Sequence, residues 1–145
     1  MTAEVDIANL LADYCWYVDR LDIDAVLTLF TQDATFDLGH GRVHAGHDEL
    51  RSLYDRVQAY AATSHHVSNS RIDAEGETAT ARSGLYAHHV RHDGSTMTLW
   101  GVYLDDLVLV DGRWLIRRRT LRAAAESGGR PEGGYPTQFE LLPRG

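Results

Sequence analysis

The sequence predicts an α+β fold, a cone-shaped α+β barrel in which three N-terminal helices pack on a curved antiparallel sheet. Two observations support this class. Apolar residues recur every three or four positions in the N-terminal part, which is the spacing of amphipathic helices. Further on, apolar and polar residues alternate in long stretches separated by Asp93-Gly94 and Asp111-Gly112, which are typical hairpin turns. A cone between the helices and the sheet is a natural site for a small molecule.

The N-terminal part predicts three helices. The first runs from Val5 to about Asp19, and its apolar side carries Ile7, Leu10, Leu11, Tyr14 and Val18. A shorter helix follows Asp22 or Asp24, because an aspartate ahead of a helical run accepts hydrogen bonds from free backbone amides. A third helix begins after Gly46, and its apolar side carries Leu50, Leu53, Tyr54 and Val57.

The sheet is predicted from five alternating segments and one hairpin. The segments are 34–38, 65–72, 79–89, 96–109 and 114–123, and the glycines of GHGRVHAG mark the hairpin around 42–44. We therefore expect one domain over residues 1–126. The remaining segment, 127–145, is rich in glycine and proline and is expected to form a loose tail, which could cover a pocket mouth or a neighbouring subunit.

Composition narrows the class of partner. The chain has 145 residues, enough for one domain, and a net charge of −7, which argues against nucleic acid and anionic lipid as partners. A small hydrophobic molecule is the expected ligand. Cys15 is the single cysteine, so no intramolecular disulfide is possible. The sequence shows no signal peptide and no apolar run near the ~20 residues of a membrane span, so we expect a cytoplasmic protein.

The segment TSHHVSN, at 63–69, concentrates the titratable side chains. Successive side chains on a strand point to opposite faces. The two predicted faces carry His65, Val67 and Asn69, and His66, Ser68 and Ser70, respectively. If the first face lines the cone, one imidazole enters it, with the Asn69 amide two positions on. Histidine titrates near neutral pH and can take and return a proton, although a histidine satisfied at a strand edge is an equal alternative.

These pieces, in this order, resemble the SnoaL-like branch of the nuclear transport factor 2-like (NTF2-like) superfamily. The resemblance covers about residues 5–123. It is carried by Tyr14 and Asp19 followed by LDIDAVLTLFTQDATF, by TSHHVSN, by the long strand ending at His89, and by DGRWLIRRR. The superfamily holds ketosteroid isomerases, scytalone dehydratase, bile acid dehydratases, cyclases and non-catalytic binding modules, so the resemblance implies the fold more specifically than the reaction.

The resemblance also implies roles for four residues. Dehydratases of this branch pair an aspartate on the first helix with a histidine on the strand after the third helix, and Asp19 and His65 match these positions. Tyr14 matches the tyrosine of the bile acid dehydratases, and His89 falls where scytalone dehydratase has its second catalytic histidine. Gly101 and Tyr103 lie near the positions of a serine and an asparagine in scytalone dehydratase, which argues against scytalone itself as the substrate.

Such a set could eliminate water from a β-hydroxy carbonyl compound. His65 would act as the base, oriented by Asp19, while Tyr14 donates to the carbonyl oxygen and His89 or protonated His65 serves the departing hydroxyl. We therefore expect a cofactor-independent dehydratase-type lyase, or a related isomerase or cyclase. Its substrate would be a hydrophobic polycyclic, polyketide-like or steroid-like carbonyl compound.

Five further residues are expected to contact the substrate: Asn69, Tyr86, Trp100, Tyr103 and Arg119. Arg119 is included because one arginine of the run 117–119 could enter the cone and hold a carboxylate or phosphate. The chain has eight histidines. Adjacent histidines on a strand point opposite ways, however, so no metal site is expected.

Two other classes of function remain open at this point. A non-catalytic ligand-binding module is favoured if Asp19 and His65 lie more than about 6 Å apart, since neither would then tune the other. A structural subunit, like the β subunit of ring-hydroxylating dioxygenases, would purify with a larger partner. A homodimer or homotrimer is expected in the catalytic case, through the outward residues Thr98, Trp100, Val102 and Leu104.

Overall fold

The structure is a computed structural model that describes residues 2–39 and 41–128. The helices are α1 (Ala3–Asp19), α2 (Ile23–Leu27) and α3 (Gly46–Asp55), and a 3-10 turn, Arg56–Ala59, follows α3. The strands are β1 (Phe30–Asp37), β2 (Val43–Ala45), β3 (Tyr60–Glu75), β4 (Thr78–Arg91), β5 (Thr96–Val110) and β6 (Arg113–Ser127). Apart from Ser127 and Gly128, the predicted tail lies outside the described residues.

The two first helices begin where side chains can cap them. The Thr2 hydroxyl accepts a hydrogen bond from the Val5 amide, and Asp22 Oδ1 accepts one from the Ala25 amide at 3.1 Å. These bonds satisfy amides that have no partner within the helix. Of the two predicted caps for α2, Asp22 is therefore the one used. The first helix ends at Asp19, as its apolar pattern predicted.

The six strands form one sheet in the order β2-β1-β6-β5-β4-β3. All neighbours are antiparallel except β1 and β6, which run parallel. The predicted α+β class is confirmed, but the sheet is mixed rather than wholly antiparallel, and its edge strands β2 and β3 do not pair, so no barrel closes. The alternation of apolar and polar residues indicates which face of the sheet a residue occupies, but it does not indicate which strand is the neighbour. The parallel pairing of β1 with β6 could therefore not be predicted from it.

Two bulges change the faces that simple alternation predicts. In β3 the register shifts between Ser68 and Arg71, and Asn69 has a φ of 51°. In β6 the register shifts opposite Asp106 and Leu107, so that Arg117 and Arg118 are both exposed while Arg119 is buried. A bulge adds one residue to one strand and reverses the alternation beyond it.

The core lies between the helices and one face of the sheet. Helix α1 packs chiefly against β3, and α3 packs against β1. Tyr14 of α1 also packs on Tyr103 of β5 and Arg119 of β6. A cavity remains between the helices and the sheet. In the described part of the chain, no helix combines the length and apolarity needed to cross a membrane.

Candidate active site

A cavity of about 670 Å³ opens between α1, α3 and the sheet. Its apolar wall includes Val18, Leu85, Ala87, Leu99 and Leu121. Polar side chains also line it, and those from α1, α3, β3, β4 and β5 include Tyr14, Tyr54, His65, His89 and Tyr103. A largely apolar cavity with a few convergent polar groups is the usual form of a small-molecule site.

Asp19 and His65 meet at the wall of this cavity. The Asp19 carboxylate accepts three hydrogen bonds, from His65 Nδ1 at 2.7 Å, the His65 backbone N–H at 2.8 Å and the Thr63 hydroxyl at 2.9 Å. A carboxylate can only accept, so the ring proton sits on Nδ1 and Nε2 is the nitrogen left for a ligand. The Asp19 and His65 side chains are 24% and 10% exposed, respectively.

The same contacts keep Asp19 charged. Burial alone would raise the pKa of this carboxyl group, but the hydrogen bonds from the His65 ring, the His65 backbone and Thr63 outweigh it and lower the pKa below its usual range. Asp19 is the last residue of α1, where the helix dipole also opposes a negative charge. The three donors therefore maintain an ionised carboxylate in an unfavourable place, as required for a group that stabilises an imidazolium.

Tyr14 lines the cavity from α1. Because Tyr14 lies five residues before Asp19, the two side chains reach the same cavity only under a geometric condition. Five helical residues turn by about 140°, so both side chains reach one cavity only if the helix ends near Asp19 or the phenol of Tyr14 reaches around the helix. The helix does end there. The Tyr14 hydroxyl accepts a long hydrogen bond, 3.3 Å, from the hydroxyl of Tyr54 on α3. Sequence reasoning placed Tyr54 on the buried side of α3 but did not identify it as a site residue.

His89 is buried beside His65. The two ring centroids are 5.4 Å apart and nearly perpendicular, and the His89 ring also packs on Tyr60 at 4.6 Å. Burial, followed by the charge of His65, lowers the pKa of His89 to about 4, so this ring is neutral near pH 7. Its Nδ1 is buried and has no hydrogen-bond partner among the described residues. His89 lines the cavity, but it is not a charged acid at neutral pH.

Arg119 lies behind the cavity wall rather than in the cavity. It is fully buried, and it makes two hydrogen bonds to Asp105, at 2.7 and 2.8 Å. Its guanidinium carbon is 4.1 Å from the ring centroids of both Tyr14 and Tyr103. The expectation that Arg119 holds a substrate anion is therefore corrected, because Asp105 neutralises it and two tyrosine rings enclose it. Tyr103 lines the cavity, and its contact with a substrate stays a prediction.

The other three expected substrate contacts, Asn69, Tyr86 and Trp100, lie outside the cavity. Asn69 is exposed at the β3 bulge, where its backbone leaves the extended conformation. Tyr86 and Trp100 are partners across β4 and β5, and they are 49% and 40% exposed on the outer face of the sheet. Their neighbours Leu85, Ala87 and Leu99 point into the core instead.

The remaining metal-ligating side chains and the single cysteine lie apart from one another in the described part of the chain. Residues 2–39 and 41–128 contain no group of three or more His, Cys, Asp or Glu placed to hold a metal ion. Cys15 is buried, and burial raises the pKa of its thiol to about 11, so it is protonated at neutral pH.

Solved structures share this fold and identify its class as NTF2-like. A provisionally assigned scytalone dehydratase from Novosphingobium aromaticivorans DSM 12444 is similar, with a TM-score of 0.85 and 26% identity over 92% of this chain and 91% of that chain. A provisionally assigned aromatic ring hydroxylase from Novosphingobium aromaticivorans has a TM-score of 0.80 and 33% identity over 86% of this chain and 92% of that chain. The hexachlorocyclohexane dehydrochlorinase LinA type 2 has a TM-score of 0.79 over 92% of this chain and 93% of that chain, but at 15% identity it shows the fold alone.

The family match identifies the chain more specifically than the fold class does. The model of the SnoaL-like domain family matches residues 1–120, and the chain belongs to this family. The resemblance seen in the sequence is thus confirmed. None of the curated proteins matches the chain. The family and its cavity support binding of a small molecule, while several structural neighbours have no assigned function.

Proposed function

We propose that this protein is a cofactor-independent acid–base catalyst, a dehydratase-type lyase or a related isomerase or cyclase. Its substrate would be a hydrophobic polycyclic carbonyl compound of polyketide-like or steroid-like type. One observation carries the proposal: the Asp19 carboxylate and the His65 ring are hydrogen-bonded at 2.7 Å, and His65 lines a cavity that has apolar side chains beside it. This distance is well inside the ~6 Å beyond which neither group would tune the other.

The reaction would use three side chains in turn. His65 Nε2 removes the α-proton of the substrate, and Asp19 stabilises the imidazolium that forms. The Tyr14 hydroxyl donates to the carbonyl oxygen as that oxygen gains negative charge, which is worth roughly 2 to 4 kcal/mol for one well-placed donor. The enolate then expels the β-hydroxyl, which takes a proton from the His65 imidazolium and leaves as water. The proton count balances, because the proton removed from carbon ends in the water molecule.

The cavity wall supports a hydrophobic substrate. Leu85, Ala87 and Leu99 present apolar side chains beside His65, and a ring system filling this space would displace water from the reacting atoms. Hydrogen bonds and charges act more strongly when water is excluded. Neutral His89 is close enough to His65 to hold the departing hydroxyl by a hydrogen bond.

A non-catalytic role is the second candidate, either as a ligand-binding module or as a structural subunit. The relative at 33% identity carries the name of an aromatic ring hydroxylase, and a structural role would follow if this chain accompanied a larger catalytic chain, as the β subunit of ring-hydroxylating dioxygenases does. This alternative predicts that the protein purifies with a larger partner chain, or that Asp19→Asn leaves every measurable property except local stability unchanged. The catalytic proposal predicts neither result.

The direct test is water loss from a panel of β-hydroxy bicyclic ketones, followed by the ultraviolet absorbance of the conjugated product. We expect His65→Gln and Asp19→Asn to lower the rate by about 10²- to 10⁴-fold, the usual range for loss of a general base. His66→Gln is the matched control, because His66 is the adjacent histidine and is exposed. Turnover that survives in both site variants would overturn the proposal.

We also infer that the protein forms a homodimer or homotrimer through the outer face of its sheet. Tyr86, Trp100 and Leu104 are large apolar residues exposed on this face. Tyr86 and Trp100 are direct partners across β4 and β5, so these two side chains are neighbours on the face. A second copy of the chain is the occupant that this inference requires.

A further inference from the structure

Two arginines, Arg56 and Arg91, line one end of the cavity. Four further titratable residues, Arg42, His92, Asp93 and Glu126, belong to the same lining, and of these Arg42, Asp93 and Glu126 have other interaction partners. In a chain whose net charge is −7, two neighbouring arginines in a cavity lining favour an anionic group of a ligand at that end.

The strand pairings place Arg56 and Arg91 together at the mouth. Arg91 ends β4 and is the partner of Tyr60, the first residue of β3. The 3-10 turn that begins at Arg56 leads directly into Tyr60, so Arg56 and Arg91 lie at the same end of the sheet. Glu126 lies deeper, because it pairs with Leu99, which pairs with Ala87, the partner of His65.

Arg91 is held in place without losing its charge. Its guanidinium donates to the Ser95 hydroxyl at 3.2 Å, the Thr96 carbonyl at 3.2 Å and the Gly128 carbonyl at 2.7 Å. All three acceptors are neutral. The side chain is therefore fixed by its neighbours while its positive charge is available to a ligand, in contrast to Arg119, which Asp105 neutralises.

The distance to the reactive groups follows from the strand. Ala87, His89 and Arg91 alternate with outward residues on β4, so they share the cavity face. Two residues along an antiparallel strand span about 7 Å. Arg91 therefore lies about 7 Å beyond His89 along β4. A ligand that contacts both residues must span roughly this distance.

We propose that the ligand of this cavity is an organic anion. Its hydrophobic ring system lies against His65 and His89, and an acidic group, either a carboxylate or a sulfur or phosphorus oxyanion, lies about 7 Å farther out against Arg91 and Arg56. The proposal rests on the cavity being the ligand site of the proposed function. It specifies that the ligand is an organic anion, and it does not depend on which bond of that ligand reacts.

The test uses two fluorescent probes that differ by one charge, anilinonaphthalene sulfonate and its uncharged parent phenylnaphthylamine. We expect both to bind the full-length protein. Arg56→Gln should weaken sulfonate binding by about two- to fivefold, the range for an exposed charge contact, and leave the uncharged probe unchanged. Arg117→Gln, which removes an equal charge from the exposed β6 bulge, should change neither. Raising the salt from about 0.01 to 1 M should weaken only the sulfonate.

Two results would overturn the proposal and separate its failure from that of the proposed function. If the uncharged probe binds but sulfonate binding does not respond to Arg56→Gln or to salt, the cavity binds ligands without selecting anions. The catalytic proposal would then stand and this one would fall. If neither probe binds, the cavity is not a ligand site, and both proposals fall.

Discussion

Asp19 ends a helix, where the dipole opposes negative charge, and three hydrogen-bond donors offset that effect. Two of the donors belong to His65, and the third is Thr63, two residues earlier on the same strand. The sequence resemblance identified Asp19 and His65 because their motif positions match. It could not identify Thr63 or Tyr54, whose roles depend on distances that no local pattern encodes.

Thr63→Val tests the positioning of Asp19. The substitution keeps the shape of the side chain but removes the hydroxyl that donates to Asp19 Oδ1. We expect the pKa of Asp19 to rise, because one bond to its charged form is lost, and the free energy of unfolding to fall by about 1 kcal/mol. Carbon-detected NMR titration of the carboxyl group measures the first effect. Thr63→Ser retains the hydroxyl and should restore the wild-type value, whereas an unchanged titration in the valine variant would contradict this role.

The second residue-scale prediction concerns stability in acid. The pKa of His89 is lowered to about 4 in the fold, against roughly 6.5 for an unfolded histidine, so the folded state favours the neutral ring. Its contribution is complete above pH ~6.5 and is lost as the pH falls toward 4, by roughly 3 kcal/mol in total. The lowered pKa of Asp19 acts at lower pH, since its contribution persists until the pH falls below the unfolded value of about 3.9.

Urea unfolding at several pH values between 7.5 and 4.5 measures this effect. We expect the wild-type free energy of unfolding to fall more steeply over this interval than that of His89→Gln, which has no ring to protonate. His92→Gln is the control, because His92 is exposed and its loss should leave the wild-type slope. Equal slopes for wild type and His89→Gln would show that burial of His89 does not oppose its protonation.

At the scale of elements, the helices and hairpins could be predicted because their signals are local. The apolar period predicted α1 to its last residue, and the two Asp-Gly turns fell where β4 meets β5 and β5 meets β6. The bulges could not be predicted in the same way. A bulge leaves composition unchanged and reverses the faces beyond it, which is why Asn69 does not share the face predicted for His65 and why the adjacent residues Arg117 and Arg118 are both exposed.

Asn69 provides the test of the β3 bulge. Its φ of 51° lies in the left-handed region, which asparagine tolerates and β-branched residues do not. We expect Asn69→Val to lower the free energy of unfolding by about 1 to 2 kcal/mol, and Asn69→Gly to leave it nearly unchanged. Thr80→Val, on the exposed side of β4, controls for a valine in a regular strand. If the Asn69 and Thr80 valine variants were equally stable, the bulge would impose no left-handed backbone at 69.

For the whole molecule, the α+β class followed from helical signals preceding strand signals, and the family resemblance followed from motifs spread along most of the chain. The mixed sheet was not predicted, because β1 and its parallel partner β6 are distant in sequence. The outer face of the sheet was predicted to bear apolar residues, and Trp100 and Leu104 are exposed there. Assembly through that face remains a prediction.

Two tryptophan variants distinguish a side chain that forms a subunit interface from one that is exposed to solvent without such a role. Trp100 lies on the outer face of the sheet and is 40% exposed, whereas Trp16 lies on α1 and is 61% exposed. We expect Trp100→Glu to reduce the molar mass, measured by light scattering after gel filtration, to that of one chain, because a buried carboxylate at an interface is costly. Trp16→Glu should leave the assembly intact. A wild-type protein that elutes as a monomer would contradict the inferred oligomer.

Proton abstraction by His65 can be measured without knowing the natural substrate. With 2-tetralone in deuterated water, NMR follows the replacement of the protons next to the carbonyl by deuterium. We expect wild-type protein to accelerate this exchange, and His65→Gln and Asp19→Asn to reduce it to the uncatalysed rate while His66→Gln does not. If 2-tetralone binds in the cavity and its exchange is no faster than in buffer, or is equally fast in all variants, the Asp19–His65 pair is not a proton-transfer site.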